Sequence, residues 1–199
     1  MATDDNLVGF EFPKIHSFPP LYTKQPNLTV LSNQLESWKD IILKYCEYYK
    51  ITSLSLTGVP KYVQDPTVTA SKLPELFSNS EINRSVNDSF RKDIFDHLIK
   101  GKRAEYINPK NPQLGIFVYW RTLSEWADLI YEYVSETGQL GTILTVYELT
   151  KNDDSGLPPD LFNLDDALLI KVIKDVLIKS GKAQILMNEN NEIGGVKIV

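Results

Sequence analysis

The chain has 199 residues, of which 42% are hydrophobic and 24% charged, with a formal net charge of −5. That composition is globular, and the length suits one large domain or two of roughly 80 to 100 residues, each able to bury its own core. The acidic balance counts against a nucleic-acid partner, because phosphate binding draws on a concentrated positive surface.

After Met1 the chain runs Ala-Thr-Asp-Asp-Asn, where a signal peptide needs positive charge and an apolar run. Cys46 is the single thiol, so no intrachain disulfide can form. A cytosolic protein is expected. The Asn-x-Ser/Thr triplets at Asn27, Asn83 and Asn87 then carry no glycosylation chemistry. The longest apolar run, residues 116–120, is far short of the roughly 20 residues that cross a bilayer.

The stretch FPPLYTKQP at residues 18–26 packs three prolines into nine residues. Proline fixes φ and removes a backbone donor, so an ordinary helix or central strand is excluded and an extended arm is expected. Next, Leu35-Glu-Ser-Trp38-Lys-Asp40-Ile41-Ile42-Leu-Lys-Tyr45 recurs as Leu123-Ser-Glu-Trp126-Ala-Asp128-Leu129-Ile130-Tyr-Glu-Tyr133. The chain therefore holds two copies of one unit. The spacing of apolar residues is one stripe of an amphipathic helix, over roughly residues 33–50 in the first copy, with the tryptophan as a core anchor.

A β-rich patch follows each helix, at residues 51–57 and 142–145, and then a shorter helix, near 80–86 and at 146–150. Residues 58–74, with prolines at 60, 66 and 74, read as a long surface loop, and residues 151–160 as a loop between helices. A third helix is signalled in both copies. Asn87 caps a run through Lys100 with Gly101 beyond it, and Asn163 or Leu164 opens a run through Lys179 that stops at Gly181. Hairpins close both copies, 104–107 with 114–120 and 183–187 with 195–199.

Helix, short strand, helix, helix, hairpin is the order of a winged helix. The expected fold is α+β: two tandem winged-helix domains, 33–121 and 122–199, preceded by an extended proline-rich arm, 1–32. A winged helix invites a DNA-binding reading through its third helix. Here acids interleave with bases: Arg91, Lys92, Lys100, Lys102 and Arg103 stand among Asp88, Asp93 and Asp96, and Lys171, Lys174, Lys179 and Lys182 among Asp165, Asp166 and Asp175. Catalysis has less support still. His16, His97 and Cys46 show no metal-ligand spacing, Cys46 among tyrosines reads as a packing residue, and no glycine-rich phosphate loop occurs. No enzyme, cofactor or metal is expected.

The arm FPPLYTKQPN, the WRTLSEW entry to the second copy, LIYEYV, TVYELT and the terminal GGVKIV together resemble the small-subunit family of the endosomal sorting complex ESCRT-II, from about Phe18 to the C-terminus. Three places depart from that family's pattern: Thr122-Leu123 where others tend to have a basic residue and proline, a longer 58–74 loop, and Ile198-Val199 in place of an aromatic pair. The resemblance implies that the arm, through Phe18, Pro19, Pro20, Leu21 and Tyr22, inserts into pockets on the two larger winged-helix subunits. It implies two copies per complex, recruitment of an ESCRT-III subunit by the second winged helix, and service in sorting ubiquitinated cargo into multivesicular bodies. Membrane contact would then come only through the complex.

The arm's chemistry points the same way. Prolines pre-order the segment, while two aromatics and a leucine offer large apolar contacts. Pro19-Pro20-Leu21-Tyr22 also fits the PPxY pattern read by WW domains, which makes a WW-binding adaptor the competing interaction reading. An arm folded onto its own first domain is the third alternative. The partner-binding reading places the arm outside both cores.

Overall fold

The computed structural model describes residues 9–152 and 156–199. The acidic start after Met1 and part of the 151–160 loop lie outside the described residues. Two units are distinguished, one comprising residues up to Val63 together with Thr67–Val118, the other Gln64–Pro66 together with Tyr119–Val199.

In the first unit, α1 spans Leu28–Tyr48, five residues earlier than the apolar stripe suggests. Asn27 is the reason: its side chain accepts from the backbone N–H of Thr29 and Val30, so a residue that matched only an idle glycosylation triplet caps the helix. The stripe beyond it buries Trp38, Ile41, Ile42, Tyr45 and Cys46. Helix α2, Asp88–Lys100, begins at the expected cap, with Asn87 accepting from Phe90 N–H at 2.8 Å, and buries Phe90, Ile94, Phe95 and Leu98. Its C-terminal turn differs from the expected glycine cap. Gly101 has φ −78°, and Lys102 takes the left-handed conformation at +57°.

The first unit's main sheet has the order β2-β1-β6-β5, antiparallel throughout, from β1 Ile51–Leu54, β2 Pro60–Val63, β5 Ala104–Tyr106 and β6 Ile116–Val118. Strand β2 corrects the reading of 58–74 as loop. Pro60 is tolerated because it opens an edge strand, where no ladder donor is required of it. Gly115, at φ +98°, lets β6 come against β1; a Cβ there would lie 2.3 Å from the Leu54 carbonyl oxygen. The short helix expected near 80–86 is instead a small hairpin, β3 Ser78–Asn79 with β4 Arg84–Ser85, around one 3-10 turn at Ser80–Ile82. Asn79 accepts from Glu81 N–H to start that turn, and Asn83 in the left-handed region ends it.

The second unit follows the expected order of helix, short strand, helix, helix and hairpin. Helix α3, Leu123–Glu136, starts on a reciprocal cap between Thr122 and Glu125, and α4, Val146–Thr150, on the same device between Thr145 and Glu148. Thr122, where the chain departs from the pattern of the family it resembles, is thus a working cap. Helix α5, Asp166–Val172, is capped by Asp165 and continues as a π-helical segment, Ile173–Ile178. The sheet order is β7-β9-β8, from β7 Ile143–Leu144, β8 Ala183–Met187 and β9 Ile193–Ile198. Trp126, Ile130, Leu149, Leu168, Leu169, Val172, Ile173, Leu177 and Val196 are all buried. Trp38 and Trp126, the repeated anchors, are 0% and 1% exposed.

A candidate docking arm

The arm is neither extended nor outside the first core. Two 3-10 turns, Lys14–Ser17 and Pro19–Tyr22, are joined at Phe18, whose backbone is extended. Proline suits the second turn for a local reason. Pro19 and Pro20 occupy its first positions, where a helical N–H has no partner in any case, and proline's φ already matches the turn. The turn closes through Thr23 N–H to the Pro20 carbonyl at 3.3 Å.

Helix α1 holds this turn. Leu21 and Tyr22 are 3% and 2% exposed. Tyr22 lies edge-on to Trp38 at 5.5 Å, and its hydroxyl donates to the His16 carbonyl at 2.7 Å. Burial pushes the Tyr22 phenol up to about 12, so it stays a neutral donor. The Trp38 indole donates to the Leu21 carbonyl at 3.0 Å. The Gln34 amide Nε2 faces three arm carbonyls, Pro20 and Leu21 at 3.0 Å and Thr23 at 2.8 Å.

Upstream, buried His16 stacks on Phe12 at 3.9 Å, and Asn79 donates to the His16 carbonyl at 3.1 Å. Phe10 and Phe12 continue the aromatic row onto Tyr45.

The five residues singled out in the sequence therefore separate. Leu21 and Tyr22 anchor the turn to its own unit, whereas Phe18 is 56% exposed and Pro19 and Pro20 are also on the surface. Around Phe18 lie Ile15, Pro20, Leu21 and Val30, lining a shallow groove of about 380 Å³. Leu28 is exposed as well. Sequence reasoning missed His16, Gln34 and Asn79 as the arm's polar clasp. It also missed Ile15 and Val30, which flank Phe18.

This geometry counts against a WW-domain reader, which needs the tyrosine of a polyproline segment, because the segment is a 3-10 turn and the tyrosine is inside. On the third helices four of the basic groups stand in ion pairs: Arg91 with Asp88 at 2.6 Å, Lys92 with Asp96 at 2.6 Å, and Lys171 and Lys179 both with Asp175 at 2.8 and 3.4 Å. Cys46 is fully buried, and burial pushes its thiol well above the ordinary range, as for a packing residue. Among the described residues no helix is long and apolar enough to cross a membrane, and no group of three or more His, Cys, Asp or Glu is placed to hold a metal ion.

Residues 15–165 match the profile of a family described as ESCRT-II complex subunit. The chain is 32% identical over 193 residues to vacuolar protein-sorting-associated protein 25 of Dictyostelium discoideum, covering 92% of this chain and 93% of that protein. It is 29% identical to the protein of that name in Saccharomyces cerevisiae, with 94% and 98% covered. Among solved structures, the crystal structure of subunit VPS25 of the endosomal trafficking complex ESCRT-II superposes with a TM-score of 0.79 at 30% identity, covering 94% of this chain and 98% of that one. A chain in the crystal structure of the endosomal complex ESCRT-II (VPS22/VPS25/VPS36) superposes with a TM-score of 0.75 at 29% identity, with the same coverage.

Proposed function

The chain belongs to the ESCRT-II complex subunit family, whose work is vacuolar protein sorting, and we propose that it serves there as a non-catalytic subunit whose arm docks the larger subunits. The observation that carries this reading is the split within the arm. Two side chains, Leu21 and Tyr22, are sunk in the first unit, and their neighbours Phe18, Pro19 and Pro20 are raised into solvent beside Ile15 and Val30. An aromatic ring held out on a fixed turn loses little conformational entropy when it enters a partner's pocket.

In this reading Phe18, Pro19 and Pro20 make the contact, and Leu21 and Tyr22 hold them in place. Two copies join one of each larger subunit, related to VPS22 and VPS36. The second winged helix then engages an ESCRT-III subunit while ubiquitinated cargo is sorted into multivesicular bodies. The chain is cytoplasmic and reaches the endosomal membrane through the complex.

Co-expression with the two larger subunits, followed by mass measurement of the purified complex, tests this directly. A stable assembly with two copies of the chain is expected, and an assembly weakened roughly thirtyfold in Phe18→Ala, with the second unit still binding an ESCRT-III subunit, is the expected signature. Wild-type affinity in Phe18→Ala would remove the arm from the interface.

A further inference from the structure

The side chain of Gln34 occupies a place where a hydrocarbon is expected. It lies one turn before Trp38 on the buried face of α1 and is 6% exposed. A buried amide without partners is costly, so what it bonds to deserves a full account. Its Nε2 has two protons and three acceptors, the carbonyls of Pro20, Leu21 and Thr23, all within 3.0 Å. Its Oε1 accepts from Gln25 N–H at 3.3 Å. The reverse orientation of the amide would turn its oxygen toward three carbonyl oxygens and its NH2 toward an N–H, so the network admits one arrangement.

These four contacts all reach the arm rather than the rest of the core. The prolines make them necessary. Pro19 and Pro20 bring carbonyls but no N–H, so the turn has more acceptors than donors of its own. Trp38 supplies one donor, to Leu21, and Gln25 Nε2 adds contacts to Pro20 and Thr23 from the solvent side. Gln34 supplies the buried remainder.

We propose that Gln34 is the positioning residue of the docking arm: by gathering the carbonyls of Pro20, Leu21 and Thr23 it fixes the turn in the one shape that leaves Phe18, Pro19 and Pro20 projecting toward an apolar pocket on a folded partner. The inference rests on the docking role proposed above and adds to it how the arm is presented. The arm binds as a preformed projection, and Gln34 sets the fraction of molecules in which that projection exists. A residue acting in this way changes how often an encounter succeeds, because apparent affinity scales with the competent fraction. Gln34 also lines the groove beside Phe18, but at 6% exposed and bonded to the arm it presents almost no surface to a partner there.

The test is the kinetics of the full chain binding the purified pair of larger subunits, for wild type, Gln34→Ala, Gln34→Glu and Phe18→Ala. Gln34→Glu is nearly isosteric and sets a carboxylate against the three carbonyls, so it serves if the alanine variant folds poorly. Each variant's active fraction is titrated first, which separates misfolded protein from slow binding. Both Gln34 variants are expected to associate about tenfold more slowly or worse, with an unchanged dissociation rate. Amide exchange at Leu21–Thr23 should quicken while that of α2 stays as it was. Phe18→Ala should act on dissociation. Loosened exchange with a normal association rate would overturn the proposal, and so would an effect on dissociation alone, which would make Gln34 a contact residue. If Phe18→Ala binds normally, the docking role itself falls and this inference with it; if Phe18→Ala fails and the Gln34 variants do not, only the inference falls.

Discussion

The indole N–H of Trp38 donates to the carbonyl of Leu21, a residue 17 positions earlier. One side chain thus serves two purposes, filling the core against His16, Tyr22 and Phe77 and fastening the proline turn onto that core. A tryptophan suits this double duty because its large apolar body can be buried while its single donor still needs a partner. The turn is consequently part of the first unit, and of the five residues from Phe18 to Tyr22 only Phe18, Pro19 and Pro20 face outward.

Phe18 and Tyr22 should therefore respond to truncation in opposite ways. Phe18→Ala is expected to leave the thermal midpoint nearly unchanged and to weaken assembly with the larger subunits by about 2 kcal/mol, roughly thirtyfold. Tyr22→Ala empties a buried ring site and should destabilise the first unit by about 3 to 5 kcal/mol. Tyr22→Phe loses only the hydroxyl and should cost about 1 kcal/mol. Thermal unfolding and a binding titration on the same variants check this; a stable Tyr22→Ala protein would contradict the burial described above.

Duplex DNA should not bind tightly. The ion pairs along α2 and along α5 with its π-helical continuation place a carboxylate beside Arg91, Lys92, Lys171 and Lys179, so a phosphate backbone would have to break them and meet acids. A salt-titrated assay with random duplex is expected to show no tight complex at physiological ionic strength. Sequence-dependent binding at nanomolar concentrations would overturn this.

Much of the fold was legible because helix periodicity and caps are local signals: Asn87 and the repeated Leu-x-x-Trp-x-Asp at Leu35 and Leu123 each announce an element within a few residues. The places that were misread depend on partners far along the chain. Pro60 discourages a strand locally, yet β2 forms because β1 supplies an edge. FPPLY looks extended because prolines exclude an α-helix, but a 3-10 turn accepts them, and what makes it fold is Gln34 and Trp38 on a helix the arm precedes. A signal for that clasp was nonetheless present. Gln34 stands four residues before Trp38, on the same face, and a polar side chain there implies backbone groups to satisfy.

In the second unit, Gln64 should matter more than its place in a connecting segment suggests. It is 3% exposed, and its Nε2 donates to the carbonyls of Asp160 and Phe162 at 2.8 and 3.0 Å, while Asn163 donates to its own carbonyl. Gln64→Ala removes the donor and leaves two carbonyls short, a loss of about 1 to 3 kcal/mol. Amide exchange should locate the loosening around residues 160–164, sparing α2. Unchanged exchange there would mean that water replaces the side chain freely.

His16 makes the arm's attachment depend on pH. Its ring is buried against Phe12, Tyr22 and Trp38, with Asn79 beside it and Glu75 and Glu81 lining the same cavity. Burial holds its pKa below the ordinary value of 6.5, and the Leu76 carbonyl, which favours a protonated ring, offsets this only in part. The unfolded chain therefore takes up a proton near pH 6.5 that the folded chain still refuses, so stability rises with pH across this window and falls as pH drops through 6.5 toward the folded value. The carboxylates held low by hydrogen bonds, Asp175 by Lys171, Glu148 by the Thr145 cap and Glu36 by Lys39, lose their contributions only at more acid pH. His16→Phe keeps a ring against Phe12 and cannot titrate. The difference in thermal midpoint between the variant and wild type should then move in the variant's favour as pH falls below 6.5, and be constant above it. Parallel curves across that range would show that the His16 ring gains its proton as readily in the fold as in the unfolded chain.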